Sequence, residues 1–327
     1  MAASAPVSGA GCPDTPERPR LAVSSCLLGE AVRYDGGHKR DSYVQGVLGQ
    51  WFELVPICPE VGIGLGVPRA PIHLQRIDGE LRVRGSRDAG LDVTDRLAGY
   101  ADTMAPQLAQ VSGYVLKARS PSCGMERVRV HGESGKTGVG AYAAAVMQRF
   151  PLLPAEEEGR LNDPRLRENF IVRVLAHARW QALLAEPLSP AALMQFHARH
   201  KLLLLAHNQA GYRRLGPLVA AARKKTIVKD TEIYGHEFMK VLKNPAGRRG
   251  HTNVLQHLMG YLKRQLEPGD KAELLETIDE FRAGRLPLAA PLTLLRHHFR
   301  RHPHDYVAGQ VYMAPHPAEL ALCQHHQ

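Results

Sequence analysis

The sequence contains no apolar run of the roughly 18 residues that a membrane-spanning helix needs. Its strongly apolar stretches, such as Leu202–Ala206, end after a few residues. No segment is therefore expected to cross a membrane. At 327 residues, the chain is long enough to form two domains with buried cores.

Cysteine is also scarce, with five residues scattered over the chain. An odd number at such wide spacing excludes a disulfide-rich scaffold and predicts a protein of the reducing cytoplasm. No two of them form the Cys-x-x-Cys pair that is typical of structural zinc sites. The N-terminal stretch lacks the basic residues and the apolar core of a signal peptide, and residues 1–19 are predicted to be a disordered tail.

Negative charge is under-represented in the second half of the chain. Residues 160–327 carry 25 Lys and Arg against 14 Asp and Glu, a net charge of +11, whereas residues 1–159 carry 17 against 18. The second half also holds 14 of the 17 histidines, which would add positive charge near their usual pKa of about 6.5. This division indicates a half that binds a polyanion beside a half that performs chemistry. A basic helical domain without such a partner is the alternative.

Strand and helix patterns alternate over residues 20–153, which predicts an α/β domain with a mostly parallel sheet and flanking helices. Asp78-Gly79, between two short strand-like stretches, predicts a β-hairpin. The expected strands are Leu21–Ser25, Glu53–Ile57, Ile72–Ile77, Glu80–Arg84, Val111–Lys117 and Glu126–His131, and the expected helices are Lys39–Trp51, Thr94–Gln110 and Val139–Phe150.

The pattern changes at Pro151–Gly159, which is predicted to be a hinge. Beyond it, residues 160–310 indicate an all-α bundle whose helix junctions are marked by Gly or Pro. The seven expected helices are 163–185, 190–208, 211–223, 230–243, 251–266, 270–282 and 290–302. Residues 311–327 are expected to form a C-terminal tail.

Three cysteines follow the ends of expected strands. Cys26 follows the first, Cys58 the second and Cys123 the strand that begins at Val111. In a parallel sheet they would meet at one carboxyl edge, where open α/β sheets bind ligands. Three thiolates leave one position of a metal centre open, which suits a catalytic metal or a 4Fe-4S cluster with one free iron. Three buried structural thiols are the alternative interpretation.

Polar residues accompany these cysteines. Glu60 lies two residues after Cys58, and Ser120 and Ser122 precede Cys123. A carboxylate beside an open metal position could carry a proton, and a serine could position water or substrate. For Glu60 the alternative is a carboxylate that stabilises the start of a helix.

Three segments resemble the thiouracil desulfidase family, in the same order as in that family. They are Val23–Gly29 with its continuation Val32–Lys39, then Ile57–Glu60 with Cys-Pro-Glu, and Lys117–Gly124 with Ser-Pro-Ser-Cys-Gly. Residues 165–310, which include Phe196–Asn208, resemble the YbgA-like helical domain found fused to that family.

The resemblance implies a 4Fe-4S cluster bound by Cys26, Cys58 and Cys123, with one open iron that binds the sulfur of a thiolated uracil. Water then replaces the sulfur at the ring carbon without net redox change. It also implies catalytic roles for Glu60 and Ser120. Members with the fused domain imply 4-thiouridine in tRNA as the substrate, whereas single-domain members imply free thiouracil or its nucleotide.

An RNA-binding role for the second half agrees with two runs of basic residues. The predicted RNA-binding residues are Arg213, Arg214, Arg223, Lys224, Lys225, Lys229, Lys240, Lys243, Arg248 and Arg249. Thiolated tRNA is thus the expected partner, and neither a membrane nor an obligate protein partner is expected. A non-catalytic RNA-binding protein with a structural metal is the remaining alternative. His197, His200 and His207 are expected to make core or surface hydrogen bonds rather than to bind a metal.

Overall fold

The computed structural model describes residues 18–88, 90–316 and 320, so the predicted N-terminal tail lies almost entirely outside the described residues. Contacts divide the chain into two units between Ala178 and Arg179. We call the described residues up to Ala178 the sheet unit and those from Arg179 onward the helical unit. The division falls within a helix, not at the hinge predicted for residues 151–159.

Eight strands are present in the described part of the sheet unit. They are β1 (Arg20–Ser24), β2 (Glu53–Ile57), β3 (Ile72–Ile77), β4 (Glu80–Gly85), β5 (Gly113–Leu116), β6 (Val128–His131), β7 (Thr137–Gly138) and β8 (Ala155–Glu157). The first sheet has the order β2-β1-β5-β8, and all its neighbouring strands run parallel. The predicted α/β class with a parallel sheet is confirmed.

The predicted hinge is wrong, because part of it is the buried strand β8. Its residues Ala155–Glu157 pair with Tyr114–Leu116 of β5, and all three are buried. Consecutive glutamates are unusual in a strand. They are accommodated here because both carboxylates have partners: Glu156 binds Arg160 four residues later, and Glu157 accepts a hydrogen bond from the distant Met125 amide.

The second sheet has the order β4-β3-β6-β7 and is mixed. β3 pairs antiparallel with β4 and parallel with β6. Asp78 and Gly79 between β3 and β4 have φ values of 51° and 85°, the left-handed conformation that a type I′ hairpin turn requires. The hairpin prediction is confirmed.

Short helices connect these strands. They are α1 (Gly49–Trp51), α2 (Pro59–Gly62), α3 (Thr94–Thr103), α4 (Ala105–Leu108) and α5 (Ala141–Arg149). A π-helical segment, Tyr43–Leu48, leads into α1, so this helical region begins later than the predicted Lys39. The predicted helix Thr94–Gln110 breaks at Met104, since Pro106 cannot supply the N–H of a continuous helix.

Eight helices follow within the described residues. They are α6 (Pro164–Ala185), α7 (Pro190–His207), α8 (Gln209–Ala221), α9 (Ile227–Leu242), α10 (Arg248–Tyr261), α11 (Pro268–Arg282), α12 (Ala289–Arg301) and α13 (Asp305–Ala308). All seven predicted helices are present, with shifted ends. The predicted C-terminal tail begins too early, because Val311 and Tyr312 are buried in a 3-10 turn of the helical unit.

Helices cover the parallel sheet. Leu97 of α3 and Val146 of α5 belong to the same core cluster as Tyr114 of β5. On β5 a Cβ at Gly113 would lie 2.6 Å from a methyl carbon of Val174 on α6, so glycine allows this helix to approach the sheet closely.

An aromatic core fills the helical unit. The Trp180 ring lies 5.3 Å from Phe196, 5.7 Å from Tyr234 and 6.2 Å from Phe238 between centroids. A Cβ at Gly235 would lie 2.5 Å from the Trp180 ring, which explains glycine at this position of α9. None of the described helices is long and apolar enough to cross a membrane.

Candidate active site

A cavity of about 340 Å³ lies beyond the carboxyl ends of β1, β2 and β5, three adjacent strands of the parallel sheet. Cys26, Cys58 and Cys123 all line it. The three thiols therefore surround one cavity, as the positions of the cysteines after strands predict. Cys12 and Cys323 lie outside the described residues.

Local structure explains the position of each thiol. Cys26 lies in the 3-10 turn Ser25–Leu28, directly after β1, and its carbonyl accepts a hydrogen bond from the Lys39 amide at 2.8 Å. Cys58 lies directly before α2, which begins with Pro59 at its first position. Cys123 follows a loop that leaves β5. Cys26 and Cys123 are buried, whereas Cys58 is partly exposed.

The thiols are in surroundings that favour a protonated or a metal-bound state. Burial raises the pKa of Cys26 to about 11, and the neighbouring Cys58 adds to this increase. Burial is also the main reason why the pKa values of Cys58 and Cys123 are raised. Lys117 and Arg33 lower the pKa of Cys26. A bound metal replaces the thiol proton, so the cavity offers three soft sulfur donors to a metal group.

The three sulfur donors and the size of the cavity suit a metal group larger than one ion. Within the described ranges, no three His, Cys, Asp or Glu side chains are placed to hold a single metal ion together. A lone zinc ion would need its sulfur ligands about 2.3 Å from one point. The cavity has room for a group of several metal atoms, in which each cysteine binds a different atom, as in iron–sulfur clusters.

The carboxylate of Glu60 is held on both oxygens. Its Oε2 accepts hydrogen bonds from Arg69 Nε at 3.1 Å and Nη2 at 2.7 Å. Its Oε1 accepts a hydrogen bond from the Ser122 hydroxyl at 2.6 Å. Both members of the ion pair are largely buried. Glu60 lies in the first turn of α2, and no side-chain hydrogen bond caps that helix. Both carboxylate oxygens of Glu60 bind side chains from other segments of the chain.

The two serines have different positions. Ser120 lines the cavity, whereas Ser122 is fully buried behind it. Their hydroxyl oxygens are 2.8 Å apart. Ser122 therefore connects Ser120 with Glu60, and the three side chains form a continuous chain of hydrogen bonds from the cavity to a buried carboxylate.

Two adjacent glutamates hold the two ends of the loop that carries Ser120 and Cys123. Glu157 is the last residue of β8, and Glu158 follows it. Glu158 accepts a hydrogen bond from the Ala118 amide at 2.7 Å and forms an ion pair with Lys117. Glu157 accepts from the Met125 amide at 2.8 Å, and burial raises its pKa.

The middle of this loop rests on the start of α5. The amides of Ala141 and Ala143 donate to the carbonyls of Pro121 and Ser122 at 3.1 and 3.0 Å, so the loop supplies acceptors for free helix N–H groups. At Gly140 a Cβ would lie 2.5 Å from the Ser122 carbonyl oxygen. The absence of a side chain there allows the contact.

Cations line the rest of the cavity. Arg33 is 3.5 Å from the exposed Asp35, whereas Lys39 and Arg119 have no side-chain ion pair with any residue that the structure describes. Arg119 has a φ of 61°, a left-handed conformation that is uncommon for residues other than glycine. The cavity therefore presents exposed positive charge that could bind an anionic group.

Sequence reasoning did not identify Arg69, Glu157, Glu158, Lys39 or Arg119 as site residues. The Arg69–Glu60 pair joins residues from different loops, and no local motif marks it. The run of three glutamates at 156–158 is visible in the sequence, but its position between Pro151 and Gly159 predicts a hinge.

The predicted RNA-binding residues all lie on the surface of the helical unit. They are on α8, α9 and α10 or in the adjoining turns, and all ten are exposed. Arg214 and Lys240 share one anionic partner, Glu237, at 3.4 and 3.6 Å. These ten positive charges therefore face solvent.

The histidines of α7 make hydrogen bonds, as expected. His197 Nδ1 is 3.0 Å from the Tyr234 hydroxyl, His200 Nδ1 is 2.7 Å from the Phe196 carbonyl, and His207 Nδ1 is 2.7 Å from the Asn244 carbonyl. Burial lowers the pKa of His197 to about 4 and that of His200 to about 3. The expectation that histidines add charge near pH 6.5 is wrong for these two.

Comparison with known proteins relates each half to a family. A family described as 2-thiouracil desulfurase matches residues 21–158, and a protein family of unknown function, DUF1722, matches residues 201–317. The sheet unit belongs to the 2-thiouracil desulfurase family. It is joined in one chain to a DUF1722 domain.

Individual relatives agree with this division. The chain is 34% identical to the uncharacterized protein YbbK of Bacillus subtilis over 151 residues, which are 44% of this chain and 98% of that protein. It is 33% identical to the uncharacterized protein YbgA of Escherichia coli over 163 residues, 50% of this chain and 96% of that protein.

A solved structure is also similar in sequence. It is the [4Fe-4S]-dependent thiouracil desulfidase TudS, which is 32% identical over 46% of this chain and 98% of its own. The superposition has a TM-score of 0.38, so the family assignment rests on the sequence matches.

Proposed function

We propose that this chain is an iron–sulfur desulfidase that converts 4-thiouridine in tRNA to uridine. The observation that carries the proposal is the cavity that brings Cys26, Cys58 and Cys123 together beside the hydrogen-bonded chain of Ser120, Ser122 and Glu60. Membership of the 2-thiouracil desulfurase family supports the chemistry.

Cys26, Cys58 and Cys123 would hold a 4Fe-4S cluster. With three protein ligands, one iron would remain open and would act as a Lewis acid toward the sulfur of the thiocarbonyl group. The cavity cations Lys117 and Arg33 would stabilise the negative charge of the thiolate at Cys26.

The overall reaction exchanges sulfur for oxygen. A bond forms between a water oxygen and the ring carbon, the carbon–sulfur bond breaks, and the sulfur leaves as hydrogen sulfide with both protons of the water. Ser120 would orient the water and pass its proton through Ser122 to Oε1 of Glu60, which then returns a proton for the leaving sulfur. Arg69 holds the carboxylate in the orientation that this transfer needs. No oxidant or reductant is required.

Exposed cations support a nucleic-acid substrate. Lys39 and Arg119 at the cavity could bind a phosphate next to the reacting nucleotide. The ten exposed cations of the helical unit could bind further phosphates, and such binding weakens steeply with added salt.

The test compares two substrates with the full-length protein, reconstituted without oxygen. Thiolated tRNA and 4-thiouridine monophosphate are followed by loss of the near-ultraviolet absorption of the thiocarbonyl group. The triple substitution of Lys224, Lys225 and Lys229 by Gln is expected to raise KM for tRNA by roughly tenfold at low salt, with unchanged turnover of the mononucleotide. The triple substitution of Arg127, Lys136 and Arg149 by Gln in the sheet unit makes the same change in charge and serves as the control.

Each contrary result has a defined meaning. If tRNA keeps its sulfur while the mononucleotide loses it, the protein acts on small molecules. If neither loses sulfur although iron and sulfide are bound, the desulfidase proposal is wrong. A content of one zinc per chain without iron would contradict the proposed cofactor.

A further inference from the structure

Aromatic rings reach the surface of the helical unit where α10 ends. The ring centroid of Tyr261, the last residue of α10, lies 4.8 Å from His304 and 5.5 Å from Tyr306. His304 and Tyr306 are 6.5 Å apart. Tyr261 is 37% exposed, a large fraction for such a ring. We call Tyr261, His304 and Tyr306 the aromatic cluster.

The inner side of the aromatic cluster packs against residues of the core. Burial raises the pKa of Tyr306 to about 12, and the nearby hydroxyls of Tyr261 and Tyr212 contribute to this. Tyr212 on α8 in turn stacks on the buried His197 with 6.2 Å between centroids and 5° between planes. The inner rings are thus fixed by the core, and Tyr261 presents its ring in a defined position.

Positively charged residues are sequence neighbours of the aromatic rings. Lys263 and Arg264 follow Tyr261 in the turn after α10, and Arg213 follows Tyr212 on α8. All three are exposed, and none forms an ion pair with another described residue. Asp305 is the single acidic residue in segments 261–266 and 304–306. An exposed ring with exposed cations two and three residues further along the chain matches the chemistry of a nucleotide, whose base is flat and apolar and whose phosphate is anionic.

We propose that the aromatic cluster is a stacking site for an unpaired nucleobase of RNA. Aromatic side chains bind unpaired bases through their faces, and adjacent Lys and Arg bind the flanking phosphates. In a duplex the base faces are covered by their neighbours, so the site selects single-stranded segments. The proposal rests on RNA being the substrate and adds which part of the RNA the helical unit binds.

The experiment measures the affinity of the full-length protein for two RNAs of equal length, a hairpin with an unpaired loop and a fully paired duplex, over a series of salt concentrations. Tyr261→Leu keeps an apolar side chain but removes the ring, and Tyr261→Phe keeps the ring. The Leu variant is expected to bind the hairpin roughly tenfold more weakly, with little change for the duplex and with an unchanged salt dependence. The Phe variant should bind both as the unsubstituted protein does.

Lys263→Gln is the matched control, because it removes a positive charge two residues from the same ring. This substitution should weaken the binding of both RNAs and reduce the slope of log affinity against log salt concentration by about one. If Tyr261→Leu lowers the melting temperature, His304→Leu provides a second test of the aromatic cluster, with the same two RNA affinities as the measurement.

Three outcomes overturn the stacking site. Equal loss of hairpin and duplex affinity in Tyr261→Leu would mean a general structural effect. Unchanged hairpin affinity, with tRNA still desulfurised, would overturn the stacking site alone and make a protein partner the better occupant. No RNA binding by the unsubstituted protein would overturn both the site and the tRNA substrate.

Discussion

The two units use polar groups in opposite ways. In the sheet unit, charged side chains turn inward and contact one another, as in Glu60 with Arg69 and Glu158 with Lys117. In the helical unit the ten cations on and around α8, α9 and α10 face solvent, while buried polar side chains such as His200 are enclosed by aromatic rings. Charges that contact one another in a cavity can orient a reactant, whereas solvent-facing charges bind a large polyanion without fixing its position.

Under the proposed function, the sheet unit performs the chemistry and the helical unit selects the substrate. This division of roles predicts that substitutions in one unit change one property and leave the other intact. The largest effects should therefore come from the cavity, and they should leave RNA affinity unchanged.

The thiols provide the largest expected effect. Cys58→Ala removes a partly exposed thiol, so the fold should be retained, but iron and acid-labile sulfide should be lost together with desulfidase activity. RNA affinity at fixed salt should be unchanged. Cys12→Ala, which removes a thiol outside the three cysteine motifs, is the control. Full iron content in Cys58→Ala would contradict ligation by this residue.

The chain of hydrogen bonds behind the cavity provides the next effect. Glu60→Gln and Ser122→Ala are expected to lower kcat by roughly 10²- to 10⁴-fold, because each interrupts proton transfer, while iron content and KM stay the same. Glu53→Gln makes the same chemical change at an exposed carboxylate and should be neutral. If Ser120→Ala loses activity and Ser122→Ala does not, protons do not pass through Ser122.

Features set by neighbours in sequence could be predicted. The Asp78-Gly79 hairpin follows from two residues that tolerate left-handed conformations. The meeting of the three cysteines follows from their positions after parallel strands. The break at Met104 was not predicted, although Pro106 is a local signal for it.

Features set by distant partners could not be predicted. Glu157 is buried because amides at the far end of a loop need an acceptor, and no local pattern records that need. Arg69 acquires its role only when the fold brings it to Glu60. Similarly, the low pKa of His200 comes from burial among rings that lie on other helices.

Mild acid should lower the stability of the helical unit more than that of the sheet unit. This is the smallest of the three expected effects. In the helical unit, burial lowers the pKa of His197 and His251 to about 4 and that of His200 to about 3, so the unfolded chain binds more protons below pH 6.5. The contribution of these histidines to the free energy of unfolding is then fully present above pH 6.5 and is lost as the pH falls toward 4. The loss is about 2 kcal/mol per histidine at pH 5. In the sheet unit, the raised pKa of Glu157 acts in the opposite direction, because protonation at lower pH removes the cost of burying its charge.

The chain provides a reporter for each unit, since its two tryptophans are Trp51 in the sheet unit and Trp180 in the helical unit. In Trp51→Phe, fluorescence should show the Trp180 transition moving to lower temperature between pH 7 and pH 5, by several degrees or more. In Trp180→Phe, the Trp51 transition should move less. Adding His200→Asn to Trp51→Phe keeps a donor for the Phe196 carbonyl but removes the titrating group, so the shift should become smaller. Equal shifts of both transitions would show that the units unfold as one body and that the buried histidines do not distinguish them.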